Sequence, residues 1–307
     1  MEPILPMMLI IFSAVFFGSQ FVPRKFCKNF DDFGYNASMV FGILLNAVIW
    51  FAIISFQGKM CFPFTPTALS FIAGVVWVFG NIFLISAVSR IGMARAFTII
   101  NLVSIISFAG AILFLGEMRV AAGVIFTALA GVLIIMSGCA LITLTISRKE
   151  KMKSKKGLIY AFLSSFFFGS FNIMIMYSIN IQGLHVNAAA LSLALGGTLG
   201  AVIILLKKGR VKYWLKVRKR WHGLGVSGGV LWGMGNILSL YAMQKIGVSI
   251  SVPMIQGFMT IVSALWGIVV FREMHDVIPE RRKKALIIFM AGMIITIAGV
   301  WVINQAY

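Results

Sequence analysis

Ten apolar runs, each about 20 residues long, follow one another along the chain: 4–22, 36–56, 69–88, 96–115, 120–143, 157–179, 187–206, 223–243, 249–271 and 285–304. Wound as a helix, such a run crosses the roughly 30 Å hydrocarbon core of a bilayer. Inside lipid every backbone N–H and C=O must be satisfied within the protein, which leaves helices or a closed barrel. Barrel strands are about ten residues long and alternate strictly; these runs are twice that length. The expected fold class is therefore an all-α integral membrane protein with ten transmembrane helices. Of the 307 residues 60% are hydrophobic and 11% charged, and the mean hydropathy is +0.99. A soluble core of this size cannot hide so much apolar surface. That excludes a soluble enzyme, a disordered chain and a secreted disulfide scaffold.

The net charge of +19 would suggest nucleic acid in a soluble protein. Here the bases lie in short connections between apolar runs, and no nucleic-acid partner is expected. With the runs numbered one to ten, the connections 1–2, 3–4, 5–6, 7–8 and 9–10 hold 24 of the 27 Lys and Arg residues. The alternate connections hold only Lys59, Arg119 and Lys245. The positive-inside rule puts the basic connections in the cytoplasm, so both termini of this multi-pass protein are expected outside the cell membrane. The basic run 207–222, with Tyr213, Trp214 and Trp221, reads as lying along the cytoplasmic headgroups. Cys27, Cys61 and Cys139 are odd in number and lack CxxC spacing, so they indicate neither a metal site nor a disulfide framework. The first run has no basic segment before it and reads as a mature helix rather than a signal peptide.

An internal repeat is the strongest pattern. Ser13 and Phe17-Gly18-Ser19 recur as Ser164 and Phe168-Gly169-Ser170, 151 residues on. Gly74-Val75-x-Trp77-x-x-Gly80-Asn81-Ile82 recurs as Gly229-Val230-x-Trp232-x-x-Gly235-Asn236-Ile237, at an offset of 155. Arg90-Ile91-Gly92 recurs as Lys245-Ile246-Gly247 at 155, Glu117-Met118 as Glu273-Met274 at 156, and Ala130-Gly131 and Gly138 as Ala291-Gly292 and Gly299 at 161. The offset grows only in connections. The chain divides into a first five-helix repeat (1–147), a basic cytoplasmic linker (148–156) and a second five-helix repeat (157–307) within one membrane domain. Five is odd, so the second copy is inverted relative to the first, and the charge bias reverses between equivalent loops. Inverted repeats are a recurrent plan for secondary transporters, with the substrate near the midplane between the halves.

Ten helices in two five-helix repeats resemble the drug/metabolite transporter superfamily. Each repeat is similar to the EamA type. One helix ends in Gly116-Glu117-Met118 or Arg272-Glu273-Met274, and the next carries spaced glycines (Gly123, Gly131, Gly138; Gly292, Gly299). The segment Phe17-Gly18-Ser19-Gln20-Phe21-Val22-Pro23-Arg24-Lys25 is similar to the F-G-S-N-x-V-P-x-K signature of the transmembrane protein 144 branch. That branch is grouped near bacterial glucose/ribose and rhamnose porters. Gln20 replaces the usual Asn, and Arg24 is an added base. The resemblance implies a solute carrier and does not fix the solute.

The acidic residues are Glu2, Asp31, Asp32, Glu117, Glu150, Glu273, Asp276 and Glu280, all in termini, loops or helix ends. No carboxylate lies mid-membrane, where it would mark a proton relay or a cation site. His185, His222 and His275 read as solvated loop residues. The mid-helix polar groups are amides and hydroxyls. Asn101 and Gln256 are repeat mates, as are Asn81 and Asn236, each four residues after a Trp (Trp77, Trp232) and so on the same helix face. Gln20, Asn46 and Asn172 add further amides. Neutral donors and acceptors beside aromatic faces suit an uncharged polyhydroxylated solute. The same amides can instead bridge helices, and the Trp pair can serve packing alone.

Glycines spaced by four (Gly225, Gly229, Gly233; Gly196, Gly200) read as helix contacts. Glu117 and Glu273 read as anchors to Arg119, Arg272 or a backbone amine, with a coupling role as the alternative. Pro23, Arg24 and Lys25 form either a gate or a stop-and-anchor. Arg24, Lys25, Arg90, Arg95 and Lys245 would attract an anionic solute only if they reached the cavity. The expectation is a secondary transporter of a small polar metabolite, foremost a neutral sugar, working by alternating access as a monomer or homodimer. Its cavity would be lined by helices 1–4 and 6–9, with helices 5 and 10 in support. Alternatives are an exporter of amino acids or drugs, a carrier of phosphorylated or nucleotide sugars, or a membrane receptor or scaffold. No catalytic residue, metal or nucleotide is expected, since no GxxxxGK[ST] loop is present.

Overall fold

A computed structural model describes residues 4–27, 30–55, 62–91, 93–117, 122–146, 154–271 and 279–306. Among the described residues ten helices are long and apolar enough to cross a membrane: span 1 Ile4–Lys25, span 2 Asp32–Ser55, span 3 Phe64–Ala87, span 4 Ala96–Leu115, span 5 Gly123–Thr143, span 6 Lys155–Ile181, span 7 Val186–Lys207, span 8 Lys219–Ile246, span 9 Val248–Val270 and span 10 Lys283–Asn304. No strand occurs among the described residues. Large apolar side chains such as Leu113, Phe126 and Ile294 stay exposed on the outside, where lipid rather than protein is their solvent.

The packing pairs off between the two halves of the chain. Span 3 lies against spans 6 and 7, and span 8 lies against spans 1 and 2. Spans 5 and 10 pack on each other, and spans 4 and 9 meet. Equivalent contacts use equivalent residues. The Ser13 hydroxyl donates to the Gly235 carbonyl at 2.8 Å, and the Ser164 hydroxyl donates to the Gly80 carbonyl at 2.8 Å. A Cβ on Gly80 would come within 2.9 Å of the Phe168 ring, and one on Gly235 within 2.9 Å of the Phe17 ring. The glycine stripes work the same way. A Cβ at Gly229 would strike the Met39 carbonyl, and one at Gly74 the Leu193 carbonyl. Small residues let the backbones touch there.

Span 1 is not one continuous helix. Regular helix runs over Ile4–Ser19 and resumes at Val22–Lys25, with a turn at Gln20–Phe21. Pro23 lacks an N–H and cannot continue the ladder; its counterpart in span 6 is Met174, and span 6 runs unbroken through Lys155–Met176. The Ser263 hydroxyl lies 3.3 Å from the Gly18 carbonyl at the break. Such side-chain rescue lets irregular backbone persist at membrane depth. Span 4 has a second turn at Asn101–Leu102. Spans 4 and 9 both finish in π-helical turns, Ala111–Leu115 and Trp266–Val270.

Between spans 7 and 8 a short helix, Val211–Lys216, packs on span 2. Trp214 stacks on Phe41 (5.9 Å, 19°), and its Nε1–H donates to the Ser38 hydroxyl at 3.0 Å. His222 is not a solvated loop residue. Its Nε2–H donates to the Trp214 carbonyl at 3.0 Å, and its Nδ1 lies 2.9 Å from the Ser38 hydroxyl. His185 also serves its own helix end, where Nδ1 accepts the Asn187 N–H at the start of span 7. His275 lies outside the described residues.

Candidate functional site

Two trios of helices face each other across the middle of the molecule. Spans 1, 8 and 9 pack together, and so do their repeat counterparts, spans 6, 3 and 4. The space between them measures about 770 Å³, its opening included. Spans 2 and 7 do not reach it, contrary to expectation. They pack behind spans 3 and 8 through the glycine stripes, which spends their inner faces on helix contact.

The repeat brings mates to the same wall positions. Trp77 and Trp232 meet each other at 4.6 Å between ring centroids, tilted by 52°. Each is braced from its own trio: Trp232 by Phe17 at 5.8 Å, and Trp77 by Phe168 at 6.5 Å. The indoles are buried, at 3% and 5% exposure, yet both line the cavity. The Trp–Asn spacing of four then puts Asn81 and Asn236 beside them on the same faces.

Seven of the nine candidate residues converge: Gln20, Trp77, Asn81, Asn172, Trp232, Asn236 and Gln256. They are not equivalent. Asn81 donates from Nδ2 to the side-chain Oδ1 of Asn36, and Asn172 donates from Nδ2 to the Ser107 hydroxyl at 3.2 Å. The Gln20, Asn236 and Gln256 side-chain amides have no hydrogen-bond partner among the described residues. Asn46 and Asn101 do not line the space. The Asn46 amide packs at the crossing of spans 2 and 8, where a Cβ on Gly233 would lie 2.8 Å from its Oδ1. Asn101 lies at the turn in span 4, 4% exposed, with Nδ2 unpartnered among the described residues.

Ser239 was not singled out from the sequence, although it lines the cavity one turn beyond Asn236. Its hydroxyl donates to the Asn236 carbonyl at 2.7 Å, leaving its oxygen free to accept. Its repeat mate is Leu84, so matching the halves could not reveal it; the i, i+3 spacing from Asn236 was the available signal.

The described charged candidates lie apart from the cavity. Arg24 ties span 1 to span 2: Nη2 is 2.8 Å from Asp32 Oδ1 and donates to the Phe30 carbonyl at 2.9 Å. Its guanidinium also covers the Tyr35 ring at 5.2 Å. Pro23 is buried at the same corner, and Lys25 Nζ is 5.5 Å from the centre of the Phe271 ring. Burial pushes the nearby Cys27 thiol above its usual pKa, against the lowering influence of Arg24. Arg90 covers Tyr160 at 4.9 Å, Lys245 is exposed, and the Arg95 side chain lies outside the described set. Glu117 accepts from the Val248 N–H (2.8 Å), the Ser249 N–H (2.9 Å) and the Ser249 hydroxyl (2.7 Å). It thereby caps span 9 of the other repeat, a favourable place for a carboxylate. Glu273 lies outside the described residues. No charged side chain lines the cavity, and no metal-ligating cluster occurs, among the described residues.

Comparison with known proteins gives a consistent result. The family model for "Sugar transport protein" matches twice, over residues 5–146 and 142–306. A provisionally named sugar uptake protein of Listeria monocytogenes is 25% identical over 272 residues, covering 87% of this chain and 88% of that one. Another from Bacillus cereus is 27% identical over 270 residues, covering 85% and 87%. A provisionally named glucose uptake protein of Staphylococcus aureus is 26% identical over 242 residues, covering 77% of each. A protein of known crystal structure superposes with a TM-score of 0.68 at 13% identity, covering 98% of this chain and 97% of that one; that likeness concerns the fold alone.

Proposed function

The chain belongs to the sugar transport protein family, and from that premise we propose that it is a secondary carrier that moves a neutral monosaccharide across the membrane by alternating access. One observation carries the reading: a cavity between the two repeats, lined by three amides without partners and by a Trp pair, and by no charged group, among the described residues. Unpartnered amides exchange hydrogen bonds with sugar hydroxyls, and an indole packs on the apolar C–H face of a pyranose. A sugar phosphate or nucleotide sugar would bring charge into a site with no base among the described residues to offset it. The names of the relatives point the same way.

The resemblance to the drug/metabolite transporter superfamily, and within it to the transmembrane protein 144 branch, supports the carrier reading. Rocking of one repeat-related trio against the other would expose the cavity to each side in turn. The Gln20–Phe21 turn is a place where span 1 can bend beside the solute. No nucleophile with an adjacent base lines the cavity among the described residues, so the proposed role is transport without chemistry. The proposed location is the cell membrane, and the proposed assembly is a monomer or homodimer.

Counterflow in proteoliposomes tests this. Vesicles preloaded with unlabelled glucose, ribose or rhamnose should accumulate the labelled sugar without an imposed ion gradient. Accumulation only with amino acids or sugar phosphates would overturn the sugar reading and leave the carrier reading in place.

A further inference from the structure

The frame of the cavity is close to two-fold, but its chemistry is not. Repeat-related positions differ in what they can offer a solute. On span 8 the Asn236 amide is uncommitted among the described residues, whereas its mate Asn81 on span 3 is tied to Asn36. One turn on, Ser239 has Leu84 as its mate. On span 9 Gln256 enters the cavity, whereas its mate Asn101 does not. Span 1 adds Gln20, whose mate on span 6 is Phe171. The three uncommitted amides, Gln20, Asn236 and Gln256, and the Ser239 hydroxyl therefore stand on the trio of spans 1, 8 and 9. The facing trio presents chiefly apolar surface, and its amides, Asn81 and Asn172, are each anchored through Nδ2 and keep only Oδ1 as a held acceptor.

Resting on the sugar reading above, we propose that recognition is one-sided. Gln20, Asn236, Ser239 and Gln256 read the hydroxyl edge of the sugar, and the wall of spans 3, 4 and 6 supports its apolar face without reading it. Ser239 and Gln256 are then specificity-determining residues. Sugar hydroxyls that find no partner on the apolar wall cost affinity in the reversed pose, so the solute keeps one orientation despite the two-fold frame.

The test is half-saturation in counterflow for glucose and its 2-, 3-, 4- and 6-deoxy analogues. Variants are compared in the same vesicles, with melting in detergent as the control for folding. S239A and Q256A should each raise the half-saturation for glucose about tenfold, the loss of roughly one hydrogen bond. Each should also become indifferent to removal of one particular hydroxyl. N172A should raise the half-saturation less than either of them. Adding L84S to S239A, which moves the hydroxyl to the mate position, should not restore affinity. Ser239→Thr keeps the hydroxyl and should retain the wild-type pattern. Half-saturation unchanged in S239A and Q256A, or rescue by L84S, overturns one-sided recognition while the sugar reading stands. A wild type inert toward every sugar overturns the reading on which it rests.

Discussion

Glu117 shows what one residue can do at a helix end. Its carboxylate receives two backbone N–H groups and a hydroxyl from the first turn of span 9, groups that a helix leaves unpaired. Gly247 next to them has φ +88°, and a Cβ there would lie 2.7 Å from Glu117 Oε2, so neither residue can change freely. Glu117→Ala should cost roughly 0.5–2 kcal/mol, read as a lower melting temperature in detergent, with Glu117→Gln closer to wild type because one acceptor remains. Melting of the Ala variant at the wild-type temperature would show that the cap adds nothing to stability. The sequence offered Glu117 an anchor on an arginine or a backbone amine. It could not show that the amines belong to the other repeat, because a contact spanning 131 residues leaves no local pattern.

Among the helices, the decisive interactions are backbone approaches. In span 8 the face carrying Gly225, Gly229 and Gly233 lies against Ser38, Met39 and Asn46 of span 2. The spacing of four announced that contact and left its partner open. A Cβ at Gly229 would meet the Met39 carbonyl and lie 2.9 Å from the Gly42 Cα, whereas a Cβ at Gly223 in the same helix has nothing within 4 Å. Backbone cannot turn aside as a flexible side chain can. Gly229→Ala should therefore lower stability by about 1–3 kcal/mol, seen in thermal unfolding, and Gly223→Ala should not. Equal effects of the two would show that helix propensity, not the crossing with span 2, governs this span. The same crossings place spans 2 and 7: their inner faces meet spans 8 and 3, which stand between them and the cavity.

Over the whole molecule, two halves of one chain make equivalent contacts, as the paired bonds from Ser13 and Ser164 show. The distribution of Lys and Arg sets how that assembly stands in the bilayer. With 24 of 27 bases in one set of connections, both termini should lie outside. A C-terminal fusion should show alkaline phosphatase activity and no fluorescence as a green fluorescent protein fusion; the opposite pair of results would invert the assignment. Orientation does not alter the cavity, because its walls come from both repeats.

The sequence by itself determined the class of solution. Ten runs of bilayer length permit only spanning helices, because lipid offers no partner to a backbone amide. The repeat, from Trp77 and Asn81 to Trp232 and Asn236, announced which residues would hold equivalent places. Tertiary structure decided which of those equivalents face solute. Asn81 and Asn236 are identical in type and spacing, yet Asn36 engages the amide of one and no described residue engages the amide of the other. Gln256 enters the cavity while Asn101 stays outside it at a turn. An amide's role depends on whether a neighbour from a distant segment takes its hydrogen bonds, and that neighbour is fixed only when the helices pack.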